Sequence, residues 1–419
     1  MKKITTYTFL TMILGIVLIG CKSGSNDENK ATVETTVIDK NRVTWVPDIT
    51  EALAKAKATG KLLFVECYSP TCPICQSIEP YFSTPEIAEK YNTDFVSYKL
   101  DVGNAEHVKF LNDRNIWLPS FPQFLFFDGD GKLVHQGEVT ATTESILSVA
   151  NDAVTPEKRT GNYKTRFEKG ERDFDFLVKY AVYSRLVKDT LESQKAASAL
   201  FDIFPKADLN TETSWAAMKK TVTSVDNGFF QHWINNQATA KGYEKKAGHQ
   251  ESEVEGVLGG IIQTSIIKDG KSYSTAKIAE MKNYIRKAGA GEYADTFVWE
   301  YEVLANLREG KKDAALKVGQ NMAKSFANSG ASLVYITKVF NDKYPDNGYV
   351  QSATEWLKAA NPLVNEKNHL AEYNYEVARL SLKAGDRELA KRSAQDALNV
   401  AKSAGLDTKK FADFASSLK

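Results

Sequence analysis

The stretch "LLFVECYSPTCPICQSIEP", residues 62–80, carries most of what the sequence says about this protein. An apolar run ends in two cysteines two residues apart, in Cys72-Pro73-Ile74-Cys75. A pair so spaced is a redox couple, half of a metal site or a structural staple. The run "KLLFVECY" (61–68) is strand-length and apolar, which predicts a buried strand. A helix is expected to start at the cysteines, because Pro73 suits a first helical turn, where its missing N–H leaves no bond unmade. Pro80 is expected to kink that helix.

The neighbouring patterns extend the unit in both directions. Upstream, Asp48 and Glu51 form a capping-box pattern after Pro47, and Ile49, Ala52, Leu53 and Ala56 follow at helical spacing until Gly60. Downstream, Thr84-Pro85 opens a short helical segment, "DFVSYKLDV" (94–102) reads as a strand, and "AEHVKFLNDRN" (105–115) as a helix. "PQFLFFDGDGKLVHQGEV" (122–139) reads as a hairpin around Asp128-Gly129-Asp130-Gly131. "TTESILSVANDAV" (142–154) closes the unit as a helix. The expected architecture is an α/β domain over 43–155, a mixed sheet flanked by helices.

With that order in place, residues 43–152 resemble the thioredoxin fold, in the variant with an extra N-terminal helix found in bacterial envelope thioredoxin-like proteins. The Cys pair follows a strand and opens a helix, as that family requires. Pro80 matches its helix-kinking proline, and Pro122, before "QFLFF", its cis-proline. Glu66 falls where the family keeps a buried acid, and Lys99 where it places a lysine near that acid. There are departures: the dipeptide is Pro-Ile, Phe121 precedes the proline, and Gln123 follows it. Pro119 is the competing candidate for the cis position. The resemblance implies a thiol–disulfide oxidoreductase whose catalytic residues are Cys72, Cys75, Glu66 and Lys99, with Phe121 and Pro122 binding substrate. It implies no cofactor beyond the Cys72–Cys75 disulfide. Its partners would be protein thiols or disulfides and a redox partner protein.

Elementary chemistry agrees with this. Exchange needs one thiolate that attacks and a second thiol that resolves the mixed disulfide. A helix N-terminus stabilises a thiolate at Cys72, and the three-residue spacing puts Cys75 one turn inside, on the same face. A buried Glu66 has its pKa raised into the range useful for accepting the Cys75 proton, while Lys99 opposes that rise. Strand alternation sends Cys67 to the opposite face, as a buried inert thiol. Tyr68, Trp117 and Phe121 either surround the cysteines or belong to the core.

Cysteine counting narrows the opening alternatives. The chain holds four, at 21, 67, 72 and 75, and its five histidines are scattered. No second Cys pair completes a zinc site, and a chain of 419 residues needs no disulfide framework. The net charge of +1 and the lack of a long basic run give no support for nucleic-acid binding.

The N-terminus reads as a targeting segment: Lys2 and Lys3, then an apolar run from Ile4 to Ile19. Leu18-Ile19-Gly20-Cys21 resembles the lipobox of bacterial lipoproteins. That resemblance implies a signal peptide over 1–20, lipidation of Cys21 and a membrane anchor in the cell envelope. Residues 21–42, polar after the cysteine, read as a flexible tether.

From residue 160 to 419 helical periodicity dominates. "YNYEVARLSLKAGDRELAKRSAQDALNVAKSAG" places Ala378, Gly385, Ala390 and Ala397 at spacing that resembles tetratricopeptide repeats. "YEVLANLREGKKDAALKVGQNMA" repeats this more weakly through Gly310 and Ala315, and "SLVYITKVFNDKYP" with "YVQSATEWLKAAN" suggests another hairpin. An α-hairpin array or an irregular helical bundle is expected, with the array offering a surface for proteins. The leading expectation is therefore an envelope-anchored thiol–disulfide oxidoreductase. Its rival is a non-enzymatic adaptor or chaperone lipoprotein acting through the helical repeats.

Overall fold

The computed structural model describes residues 39–418. The expected signal peptide, Cys21 and the tether as far as residue 38 lie outside the described residues.

The first unit is built as the local signals require. Helix α1 (Ile49–Thr59) starts on Asp48, whose side chain accepts the Glu51 N–H at 2.8 Å, and stops at Gly60 in a left-handed conformation. Strand β1 (Leu62–Tyr68) leads to α2 (Pro73–Ile78), and a 3-10 turn over Glu79–Ser83 follows where Pro80 ends the regular helix. Then come α3 (Pro85–Asp94), β2 (Phe95–Asp101), α4 (Ala105–Asn112), β3 (Gln123–Phe127), β4 (Leu133–Glu138) and α5 (Thr143–Val154). Helix α4 stops at Asn112 rather than Asn115. Asn115 takes φ 55° and Ile116 N–H turns back to Leu111 O, which closes the helix early.

The sheet order is β2-β1-β3-β4, with β1 parallel to β2 and antiparallel to β3, and β3 antiparallel to β4. Register places Glu66 opposite Lys99 on one side and Phe124 on the other. Alternation along β1 separates two apolar layers. Leu63, Val65 and Cys67 pack with Ala52 and Ala56 of α1 and Leu111 of α4. Phe64 packs with Ile78 of α2, Ile87 and Tyr91 of α3, and Ile146 and Ala150 of α5. This is the mixed sheet flanked by helices that the sequence suggested, and β1 is followed after a short turn by the cysteine pair at the start of α2.

The remainder is helical: α6 (Tyr163–Glu168), α7 (Phe174–Leu186), α8 (Thr190–Ile203), α9 (Glu212–Thr221), α10 (Gly228–Trp233), α11 (Gln237–Lys246), α12 (Glu253–Asp269), α13 (Thr275–Ile285), α14 (Ala294–Arg308), α15 (Lys312–Ser325), α16 (Gly330–Lys343), α17 (Val350–Ala360), α18 (Lys367–Ala384), α19 (Arg387–Ser403) and α20 (Lys409–Ser417). Successive helices pack extensively as α7/α8, α14/α15, α16/α17 and α18/α19. The α18/α19 turn rests on Gly385, whose φ of 87° disfavours a side chain, and Ala378, Ala390 and Ala397 are fully buried beside it. Helices α9 and α10 instead surround a bulky core that includes Trp215, Phe229, Phe230 and Trp233. The region thus combines hairpins with a less regular part.

The helical region packs directly on the sheet. Leu186, the last residue of α7, is fully buried in the layer formed by Val65, Leu111, Ile116 and Phe127. At the β4 edge, Gln136 N–H donates to Thr160 Oγ1 at 3.0 Å, and Thr160 N–H donates to His135 Nδ1 at 3.2 Å. No helix among the described residues is long and apolar enough to cross a membrane.

Candidate active site

The two cysteines sit where β1 turns into α2. Cys72 is the N-cap residue: its backbone is extended (φ −81°, ψ 115°), and its Sγ accepts the Cys75 N–H at 3.3 Å. Cys75 lies one turn inside and is buried, whereas Cys72 is half-buried; both are free thiols. Burial alone would raise the pKa of Cys72. Hydrogen bonds from the Cys75 thiol and from the Cys75 and Ile74 amides outweigh it and hold Cys72 below the usual thiol range. Burial pushes Cys75 up to about 11, helped by its bond to the Cys72 sulfur. The pair therefore divides into a thiol that ionises readily and one that keeps its proton.

Glu66 is 1% exposed, on the β1 face opposite Cys67. Burial pushes its carboxyl up to about 7, with Lys99 pulling it down and Glu79 pushing it up. Its Oε2 stands 3.7 Å from Lys99 Nζ and has no hydrogen-bond partner. No direct hydrogen bond joins Glu66 to either thiol of the pair among the described residues. Lys99 makes its closer contact with Glu79, and its Nζ lies 4.9 Å from the Trp45 ring, 5.6 Å from Tyr68 and 5.7 Å from Phe82. Aromatic faces and two carboxylates thus enclose this ammonium.

On the other side of Cys72, the Phe121–Pro122 peptide is cis, and Phe121 O lies 3.9 Å from Cys72 Sγ. Gln123 turns away from the cysteines: its Nε2 donates to Gln136 Oε1 at 2.5 Å and to Gly137 O at 3.0 Å. Cys67 is fully buried, and desolvation, then the Glu66 charge, holds its thiol well above the usual range. Trp117 is 46% exposed and lies under the Arg185 guanidinium, outside the core.

The structure thus brings Cys72, Cys75, Phe121 and Pro122 together, with Glu66 and Lys99 paired beneath. Sequence reasoning missed Glu79, although it lies four residues after Cys75, one helical turn further along. It also missed Trp45, which reaches Lys99 from an isolated bridge to Ser97. Among the described residues no group of three or more His, Cys, Asp or Glu is placed to hold a metal ion. A cleft of about 650 Å³ between β4, α5 and α7, lined by Glu138, Ser145, Lys179 and Lys220 among others, includes neither cysteine.

Comparisons with known proteins bear on this part of the chain. Residues 44–129 match the model of a family described as thioredoxin-like. Over 102 residues the chain is 33% identical to the thiol:disulfide interchange protein DsbD of Cronobacter sakazakii (strain ATCC BAA-894). The match covers 24% of this chain and 17% of that protein's length.

Proposed function

From a thioredoxin-like N-terminal domain with a paired-cysteine turn, we propose that this protein is a thiol–disulfide oxidoreductase acting on protein substrates. The observation that carries the reading is the asymmetry of the pair: Cys72 is accessible and held below the usual thiol range, while Cys75 is buried and pushed up to about 11. In the reductive direction the Cys72 thiolate attacks a substrate disulfide. One substrate sulfur bonds to Cys72 Sγ, and the other leaves as a thiolate and takes a proton. Cys75 then loses its proton and attacks Cys72 Sγ, closing the Cys72–Cys75 disulfide and releasing the second substrate thiol. The substrate is reduced by two electrons and the pair is oxidised by two. A partner dithiol restores the pair, and the potentials of the two partners set the net direction.

Glu66 supports the second step. A carboxyl with pKa about 7 is partly ionised at neutral pH and suits a proton acceptor for Cys75 through an intervening water. Lys99 tunes that carboxyl. Phe121 and Pro122 lead into β3 beside Cys72, and a substrate strand would pair with this backbone through main-chain hydrogen bonds. Lipidation of Cys21 would hold the protein in the bacterial cell envelope, where disulfides persist. The match to an interchange protein supports exchange chemistry as the reaction class.

The test is a set of single cysteine variants run on non-reducing gels beside an insulin-reduction assay. Cys72→Ser should abolish exchange. Cys75→Ser should still attack and accumulate mixed disulfides that it does not resolve. If Cys75→Ser traps nothing while Cys72→Ser does, attacker and resolver are reversed. If neither variant changes activity or trapping, the oxidoreductase reading fails and an adaptor acting through the helical region replaces it.

A further inference from the structure

The chain between α4 and β3 carries Phe121 and Pro122, and its last backbone tie belongs to the helical region. Ile116 N–H donates to Leu111 O at 2.9 Å, and Trp117 N–H to Leu186 O at 2.7 Å. Beyond that point the amides of Leu118, Ser120 and Phe121 donate no backbone hydrogen bond among the described residues. Pro119 and Pro122 have no N–H to donate. Pairing resumes only at Gln123, opposite Cys67. The backbone of the segment that sets Phe121 O 3.9 Å from Cys72 Sγ is therefore tied only at β3 and by one bond to α7, with the Leu118 side chain packed against the same sheet layer as Leu186.

That bond is itself fixed in two ways. The Leu186 side chain is fully buried in the sheet layer beside Ile116. Arg185, the residue before it, lies with its guanidinium 5.5 Å from the Trp117 ring centroid, and its Nη1 donates to Lys220 O at 2.9 Å. Lys220 is in the last turn of α9, where carbonyls lack partners within the helix and a cation is favoured. One guanidinium thus joins the ends of α7 and α9 to residue 117.

We propose that Arg185 and Leu186 are positioning residues for the Phe121–Pro122 segment, through which the helical region governs how well a protein substrate seats beside Cys72. The inference rests on the exchange function proposed above. A segment freed at one end samples more conformations, and a substrate that must pair with its backbone has to overcome that entropy on binding. A small dithiol needs only the Cys72 sulfur and meets no such cost. The contact made by Arg185 therefore acts on substrate binding and leaves thiol chemistry alone.

The test uses the full chain and Arg185→Met, which keeps apolar bulk and removes the guanidinium. With insulin as probe, KM should rise about fivefold, the size that loss of one partly exposed cation–π contact supports, while kcat holds. The rate with dithiothreitol should be unchanged, and Arg185→Lys should recover part of the loss. Amide hydrogen exchange supplies a readout independent of activity. Exchange at the Trp117 amide, which donates to Leu186 O, should speed up in Arg185→Met while β1 stays as protected as in the wild type. Unchanged KM together with unchanged exchange at the Trp117 amide overturns the proposal, as does an equal loss of activity toward insulin and dithiothreitol. A wild-type protein that reacts with neither probe overturns the oxidoreductase function instead. Hydrogen exchange then still decides whether Arg185 holds the segment.

Discussion

Replacing Glu66 with glutamine should stabilise the protein above neutral pH and slightly destabilise it in acid. Glu66 is 1% exposed, and its carboxyl is pushed from 4.5 up to about 7, chiefly by burial. A carboxyl with a raised folded-state pKa holds its proton more tightly in the folded than in the unfolded chain. Between pH 4.5 and about 7 the folded state binds more protons, so stability falls as pH rises through this window. At about 1.36 kcal/mol per pH unit, the full span costs ~3 kcal/mol, all of it present above pH 7. Glutamine removes the titration. It does not leave Lys99 uncompensated, because Glu79 already contacts that ammonium. A buried amide with an unmade hydrogen bond gives back about 1 kcal/mol, leaving a net gain of ~2 kcal/mol at pH 8. Urea unfolding of both proteins under reducing conditions at pH 4 and pH 8 measures this. The variant's advantage should be larger at pH 8 by ~3 kcal/mol. Other titrating groups, His135 among them, cancel in the comparison. An advantage that is the same at the two pH values would falsify the claim that burial of an ionised Glu66 costs stability.

His135 should act in the opposite sense. Burial lowers its pKa from 6.5 to about 4, so the unfolded state takes up protons first and stability is lost as pH falls through that window, by up to ~3 kcal/mol. His135→Asn should flatten the dependence between pH 7 and 4.5, and an unchanged slope in urea unfolding would rule this out. Gly319 is packed so closely that an added Cβ would lie 2.5 Å from the Phe340 ring and 3.0 Å from Trp356. Gly319→Ala should therefore cost about 1–3 kcal/mol, read as a lowered Tm, and an unchanged Tm would show that these rings yield freely. Cys21→Ser should abolish palmitate labelling and release the protein from membranes, and a variant still labelled and membrane-bound would exclude Cys21 as the anchor.

Much of the first domain was legible because its signals are local. Asp48 and Gly60 bracket α1 through bonds that span only a few residues. The β1 alternation that puts Glu66 and Cys67 on opposite faces is a two-residue period, and Cys72 at the N-cap accords with Pro73 beside it. The Gly310 and Gly385 turns were likewise visible, as small flexible residues between helical periods. Less was legible where partners are distant in the chain. Nothing near Lys99 in sequence announces Glu79, and nothing near Trp117 announces Arg185. The helix written through Asn115 also overran, since the return of Ile116 N–H to Leu111 O depends on how the chain leaves α4.

Local sequence patterns were enough to set the order of elements in the sheet domain, the cysteine pair at a strand-to-helix turn, and the helical character of the chain after the sheet domain. These depend on hydrophobic period, capping and proline chemistry, all set within a few residues. What came from long-range packing is the set of distant partners, Glu79 and Trp45 around Lys99, and the seating of α7 on the sheet. A carboxyl reaches a pKa near 7 only when several elements together exclude water from it. The seating of Leu186 in a layer it shares with Val65 and Phe127 depends on long-range packing, which the local period of α7 does not encode.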